Sequence, residues 1–277
     1  MNVVLIADDG PANAWLIREI EQAHEIQLII RPDWSVAQSA RTPVARAPGK
    51  ALPFRYVTRA IRRAYFERRD RATTAALTRA LFGSGSIPRP LATVRSVPSW
   101  DINGPATEAL LRDAAPDLVV VSGAPLLRSN IYDTPRLGSV NLHFGISPAY
   151  RGMHTLLVPW QRRDYEHLGA TLHRIDDGVD TGPVLFRAYP DLHPADSLVA
   201  IEAKIVRQVS GALCRFLATV FNPPTPRPLV GRSTGSVGLV VRYHDRTIMA
   251  ELGDRARRLA GECPPSRNGR VETFYSL

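Results

Sequence analysis

Asn141 and His143 stand two residues apart at the end of an apolar run, in the stretch SVNLHFGISPAYRG at 139–152. Side chains at i and i+2 of a strand point to the same side, so this pair presents an amide and an imidazole together. An amide can donate to a developing oxyanion, and an imidazole can donate to it or carry a proton. That combination suits attack on a carbonyl. The plainer reading is a strand end whose polar side chains satisfy nearby backbone groups, and the pair alone leaves both open. Further on, DDGVDTG at 176–182 sets acids among glycines. Such clusters are ordinary turn chemistry. A carboxylate there could nevertheless orient a histidine and raise its pKa. The loop lacks the alternating oxygen ligands and terminal glutamate of a calcium-binding loop.

Other residues of reactive type admit quieter roles. His173 lies inside a predicted strand, where a packed structural histidine is the default. His154 and Thr155, just after Arg151-Gly152, could contact a substrate or simply begin a helix. Trp160 reads as core. Cys214, beside Leu213 on a predicted helix, reads as a buried inert thiol. With only Cys214 and Cys263 there is neither a disulfide framework nor a zinc quartet, and no metal site is expected.

The elements that must carry these residues follow an α/β order. Val3 to Ala7 reads as a buried strand, Pro11 to Ala23 as a helix with proline in its first turn, and Ile26 to Ile30 as a second strand. This order favours a parallel sheet with right-handed crossovers. Residues 31–52 form a Pro- and Arg-rich connection, followed by the basic helical stretch RAIRRAYFERRDRATTAALTRALF. Gly83 to Trp100 shows turn signals and little periodicity. Thr107 to Ala114 reads as a helix, and Leu118 to Ser122 and Ser139 to His143 as buried strands. Gly169 to Arg174 and Val184 to Tyr189 are predicted strands, and Ser197 to Val220 a long helix. Beyond Phe221, NPPTPRP signals a linker. A short strand at Val237 to Val241 and a basic helix at Thr247 to Ala260 follow. The expected fold is therefore α/β, an open, mostly parallel Rossmann-like sheet with helices on both faces, plus a short C-terminal extension. Ligands of such sheets bind beyond the carboxyl ends of the strands, where Asn141 and His143 fall.

The chain has 277 residues, 44% of them hydrophobic, enough for a substantial core. The N-terminus reads as a strand rather than a signal peptide, and no apolar run approaches a membrane span, so a soluble cytoplasmic protein is expected. The net charge of +9 is concentrated: residues 41–100 hold 13 basic residues against two acids. This segment is either the solvated face of an amphipathic helix or an anion-binding face for phosphate or nucleic acid. Without aromatic interleaving the nucleic-acid signal is weak. The first strand leads into ADDGPANAW, which has neither a dinucleotide-binding glycine turn nor a P-loop.

Together, VNLHFGISPAYRG and GATLHRIDDGVDTGPVL resemble the catalytic domain of the N10-formyltetrahydrofolate-dependent formyltransferases. That family includes the glycinamide ribonucleotide, methionyl-tRNA and nucleotide-sugar N-formyltransferases. N-x-H, S-x-A-Y-R-G and D-x-G-x-D-T-G in this order are specific in combination. The match is strong from Leu118 to Leu217, extends to the opening strand and helix, and is poor over 31–105 and beyond 221. The resemblance implies a catalytic domain over 1–220, with 31–105 as a basic insertion and 221–277 as the extension. It implies Asn141, His143 and Asp180 as the catalytic set, with Asn141 and protonated His143 stabilising the oxyanion and Asp180 orienting His143 and accepting a proton. N10-formyltetrahydrofolate is the implied formyl donor, lying against SGAPLLRSNI and the 176–180 loop with Leu126, Leu127 and Asp176 as contacts.

The acceptor must be argued from departures. A glycinamide ribonucleotide enzyme is expected to carry a Gly-Ser-rich phosphate loop where this chain has two acids. A methionyl-tRNA enzyme should carry a full C-terminal β-barrel, and a formyl-folate hydrolase an additional N-terminal domain. The expected function is formyl transfer to a small, anionic amine acceptor that could be phosphorylated, such as a nucleotide-linked amino sugar or a specialised metabolite. The alternatives are hydrolysis of the same folate, or a non-catalytic folate- or nucleic-acid-binding module. The oligomeric state is left open.

Overall fold

The protein is described by a computed structural model covering residues 2–35, 54–83, 86–222, 229–235, 238–242 and 245–275, side chains of 54–58 aside. The predicted connection at 31–52, from residue 36 onward, and the linker at 223–228 lie outside the described residues.

Five segments form parallel strands: β1 (Val3–Ala7), β2 (Ile26–Asp33), β3 (Thr93–Pro98), β4 (Leu118–Ser122) and β5 (Ser139–His143). β6 (Tyr150–Gly152) and β9 (Leu239–Val241) pair in parallel as a separate ribbon. β7 (Ala170–Arg174), β8 (Val184–Tyr189) and β10 (Arg270–Thr273) continue the main sheet in antiparallel pairings, giving the order β10-β8-β7-β5-β4-β1-β2-β3.

Every residue of β1 is buried because both faces of the sheet are covered. Val3, Leu5 and Ala7 pack with Leu16, Ile17 and Ile20 of helix α1 (Pro11–Ala23) and with the long helix Leu198–Phe221. Val4 and Ile6 turn to the opposite cluster with Leu111 of helix Pro105–Ala114 and with Ile131. An unbroken apolar run is what a parallel strand between two helical layers requires. The long helix starts where Ser197 Oγ accepts from the Ala200 N–H, a side-chain cap.

One expectation is corrected. The stretch Gly83 to Trp100 contains β3, which pairs with β2 at the sheet edge. An edge strand has one hydrogen-bonded neighbour, and in this one only Val97 is buried, so the sequence carries no strong alternation. The C-terminal extension also supplies β10 to the main sheet and β9 to the ribbon, so it is built into the fold.

The basic helix spans Phe54–Phe82 and buries Phe66, Leu77 and Leu81. Several of its arginines are used internally. Arg63 Nε lies 2.6 Å from Glu67 Oε1, one turn away. Arg62 Nη2 donates to the Arg246 carbonyl, and Arg69 Nε reaches Glu251 Oε2. Arg246 itself is buried between Asp70 and Glu251. This group clasps the basic helix to the C-terminal helix Ile248–Leu259. Among the described residues, no helix is long and apolar enough to cross a membrane.

Candidate active site

β5 delivers Asn141 and His143 on the same side at its carboxyl end, because Val140 and Leu142 between and before them turn into the main core. β7 runs antiparallel beside it, in a register that places His173 directly opposite Asn141. The loop after β7 brings in Asp180, whose backbone adopts a left-handed φ of 50°. Four polar side chains from three segments thus meet beyond the strand ends.

Asp180 is the hub. Its Oδ1 accepts from Asn141 Nδ2 at 3.1 Å and lies 3.3 Å from His173 Nε2. Its Oδ2 lies 3.4 Å from His143 Nδ1 and accepts from the Gly152 N–H at 2.7 Å. Ser147 Oγ donates to the Asp180 carbonyl, fixing the strained turn from behind. Gly152 has a φ of 88°, and a Cβ there would lie 2.4 Å from the Val241 carbonyl, so the N–H that holds Asp180 depends on glycine.

The hydrogen bonds define the imidazoles. His143 Nε2 lies 3.1 Å from the Tyr150 carbonyl, which can only accept, so Nε2 carries hydrogen and Nδ1 faces Asp180. His173 Nδ1 lies 2.7 Å from the Arg174 carbonyl, and its Nε2 sits between Asn141 Nδ2 at 3.1 Å and Asp180 Oδ1 at 3.3 Å. Burial pushes the His143 pKa down and outweighs the pull of Asp180. The resting imidazole is therefore neutral at neutral pH, rather than protonated as the resemblance implied. A proton entering the site has a defined place, His143 Nδ1 against the Asp180 carboxylate.

Burial also pushes Asp180 up, but the His173 contact, electrostatic attraction to the two imidazoles and the Gly152 N–H together hold it down at about 2. A carboxyl depressed in the folded state stabilises the fold above its unfolded pKa, and that stability disappears as pH falls through the folded pKa. Asp180→Asn is expected to cost roughly 2 kcal/mol between pH 5 and 7, with the difference from wild type shrinking between about pH 4 and pH 2. Urea unfolding of both proteins across this range measures it. A pH-independent difference would mean that the ionised carboxylate is not the source of the stability.

The remaining expected site residues divide. Leu126 is 60% exposed in the loop beyond β4, while Leu127 is buried in the core cluster beneath. Asn103 holds this loop by accepting from the Arg128 N–H and donating to the Leu126 carbonyl. Asp176 Oδ1 accepts from the Gly178 N–H and Thr181 Oγ1, so its carboxylate shapes the 176–181 loop. Tyr132 donates to Asp177 and ties the two loops together.

His173, for which the sequence favoured a packed structural role, is instead brought to Asp180 by the strand register. Trp160 is core as expected, with Nε1 donating to Asp254. Cys214 is half-buried, and burial pushes its thiol pKa up, in keeping with an inert role. Thr155 Oγ1 donates to the Phe144 carbonyl, and His154 has a left-handed φ of 56°. Among the described residues, no group of His, Cys, Asp and Glu could hold a metal ion.

The fold and site together define an open α/β sheet that carries an amide, imidazole and carboxylate cluster beyond its strand ends. The sequence model of the formyl transferase family matches residues 71–217, more than half of the chain, and the chain belongs to that family. Methionyl-tRNA formyltransferase of Halorhodospira halophila is 33% identical over 122 residues, 43% of this chain and 39% of that protein. The chain thus matches well under half the length of that relative. A sugar N-formyltransferase from a Shewanella species superposes over 100% of this chain and 98% of its own, with a TM-score of 0.54 at 12% identity. Phosphoribosylglycinamide formyltransferase from Streptococcus pneumoniae covers 80% of this chain and 100% of its own, with a TM-score of 0.52 at 17% identity. Both likenesses are of fold.

Proposed function

We propose that this protein transfers a formyl group from N10-formyltetrahydrofolate to the primary amine of a small acceptor, a nucleotide-linked amino sugar or a related specialised metabolite. The observation that carries the reading is the Asp180 cluster, in which Asn141, His143 and His173 all lie within 3.4 Å of one carboxylate. The donor supplies an activated formyl carbon, and exposed Leu126, backed by buried Leu127, with the turn held by Asp176 is its proposed seat. Asn141 then donates to the oxygen where negative charge develops, exchanging a bond to Asp180 or His173 for one to the oxyanion. Neutral His143 takes the proton from the attacking amine at Nδ1 and returns it to N10 as the bond between the formyl carbon and N10 breaks, releasing tetrahydrofolate. Asp180, ionised at working pH, stabilises the imidazolium so formed. His173, with Nδ1 committed to a carbonyl, orients the Asn141 amide.

Acceptor preference rests on three points. Asp8 Oδ1 accepts from the Gly10 N–H and Asn13 Nδ2, so a carboxylate already occupies the start of α1 where a phosphate would otherwise be cradled. Arg62, Arg63 and Arg69 are engaged within the protein, which favours the solvated-face and clasp roles for the basic helix. Arg258, stacked over Trp160, forms no ion pair among the described residues and is the better candidate for an acceptor phosphate. Incubating the protein with N10-formyltetrahydrofolate and pools of amino sugars and sugar nucleotides, followed by mass spectrometry, tests the assignment. A formylated amine is the expected product, and free formate as the sole product would favour the hydrolase.

A further inference from the structure

A cavity of about 420 Å³ opens beside the cluster, between the basic helix, the start of the long helix and the C-terminal helix. Phe144, Thr155, Leu156, Leu198, Val199 and Glu202 line its inner part. It abuts the site through Gly145, where a Cβ would lie 2.6 Å from His143 Nε2 and 2.7 Å from Thr155 Cβ. The imidazole and the cavity wall are therefore separated by little more than one glycine.

The charges on the cavity wall are mostly spent. Asp70 and Glu251 hold Arg246, and Asp254 holds Arg163. Glu202 differs, since it forms no hydrogen bond or ion pair among the described residues. It sits on the second turn of the long helix, one turn beyond Leu198 and Val199, which line the same cavity. A carboxylate held in a cavity wall without a partner is costly unless something else brings the opposite charge.

We propose that this cavity receives the amine-bearing end of the acceptor and that the Glu202 carboxylate recognises it, binding the protonated primary amine of a small polar body and taking one proton from it to free the lone pair that attacks. The inference deepens the formyl-transfer reading and rests on it for the word acceptor. Burial pushes the Glu202 carboxyl up to about 7, as expected for a group with no cation beside it among the described residues. A bound ammonium supplies that cation, and Arg258 on the same wall can meet a phosphate on the other end of the same molecule.

The test uses D-glucosamine and D-glucose as probes at neutral pH, with binding read by saturation-transfer NMR and calorimetry. Wild type is expected to bind glucosamine about tenfold or more tightly than glucose, the size of one charge-assisted contact. Glu202→Gln should remove the preference, whereas Glu202→Asp, which retains the charge, should keep part of it even where the cavity relaxes. A wild type that does not distinguish the two sugars, or a Glu202→Gln protein that still does, overturns the proposal. Binding of N10-formyltetrahydrofolate, measured on the same samples, should be unchanged by Glu202→Gln. If the folate fails to bind wild type while the glucosamine preference stands, formyl transfer is refuted and the cation site remains.

Discussion

Replacing His143 by alanine is expected to lower formyl transfer by roughly 10²-fold or more, and Asn141→Ala and Asp180→Ala should fall in the same range. The reason is geometric. Asn141 contributes a preorganised donor, and loss of one such donor costs about 2.7–4 kcal/mol of barrier. His143 offers the one ring nitrogen, Nδ1, that faces the Asp180 carboxylate, since Nε2 is committed to the Tyr150 carbonyl. Asp180 holds Asn141 with one oxygen and faces His143 with the other, so its removal disturbs both. Because the groups act as a unit, a double variant should lose far less than the product of the single losses. Steady-state rates with the circular dichroism spectrum as a fold control check this. Full activity in His143→Ala would remove the imidazole from the reaction.

The second large effect separates transferase from hydrolase. The cluster around the carbonyl cannot make that choice, because attack by amine and attack by water need the same oxyanion donor and the same proton acceptor. The surroundings must decide, and here a cavity lined by Phe144, Leu156, Leu198 and Val199 lies beyond the glycine, Gly145, that flanks the imidazole. An amine seated in it displaces water and is held in attacking position, an advantage that can reach several orders of magnitude. Release of formate from N10-formyltetrahydrofolate alone should therefore be slow, and folate turnover should rise about a hundredfold or more when the correct amine is supplied. Following tetrahydrofolate formation with and without acceptor pools measures the ratio. Rapid turnover that no amine accelerates would reverse the assignment.

Several features were legible from the chain alone. The apolar runs at Leu118–Ser122 and Ser139–His143 are strands with those same bounds, because a strand covered on both faces leaves a continuous hydrophobic signature. Asn141 and His143 share a side because the strand period is two, which needs no knowledge of the rest of the fold. The helix starting after Ser197 was readable from its cap and its apolar periodicity.

Tertiary structure decided what lies outside local rules. His173 joins the site only through the antiparallel register that sets it opposite Asn141, and a shift of one residue would have turned it to the other face. Asp180 reaches both histidines because its backbone takes a left-handed turn that non-glycine residues seldom adopt. Burial, a property of the assembled core, makes His143 neutral at rest. Arg62, Arg63 and Arg69 looked like one free cationic face in the sequence, yet Arg62 and Arg69 are bound across more than 180 positions to the C-terminal helix region. Glu202 carried no signal at all, since a lone acid on a helix becomes distinctive only when the packing of three separate segments leaves it facing a cavity without a partner. Composition and period determine which face of an element is buried, whereas register, turn strain and long-range pairing determine which polar groups meet, and the chemistry depends on the latter.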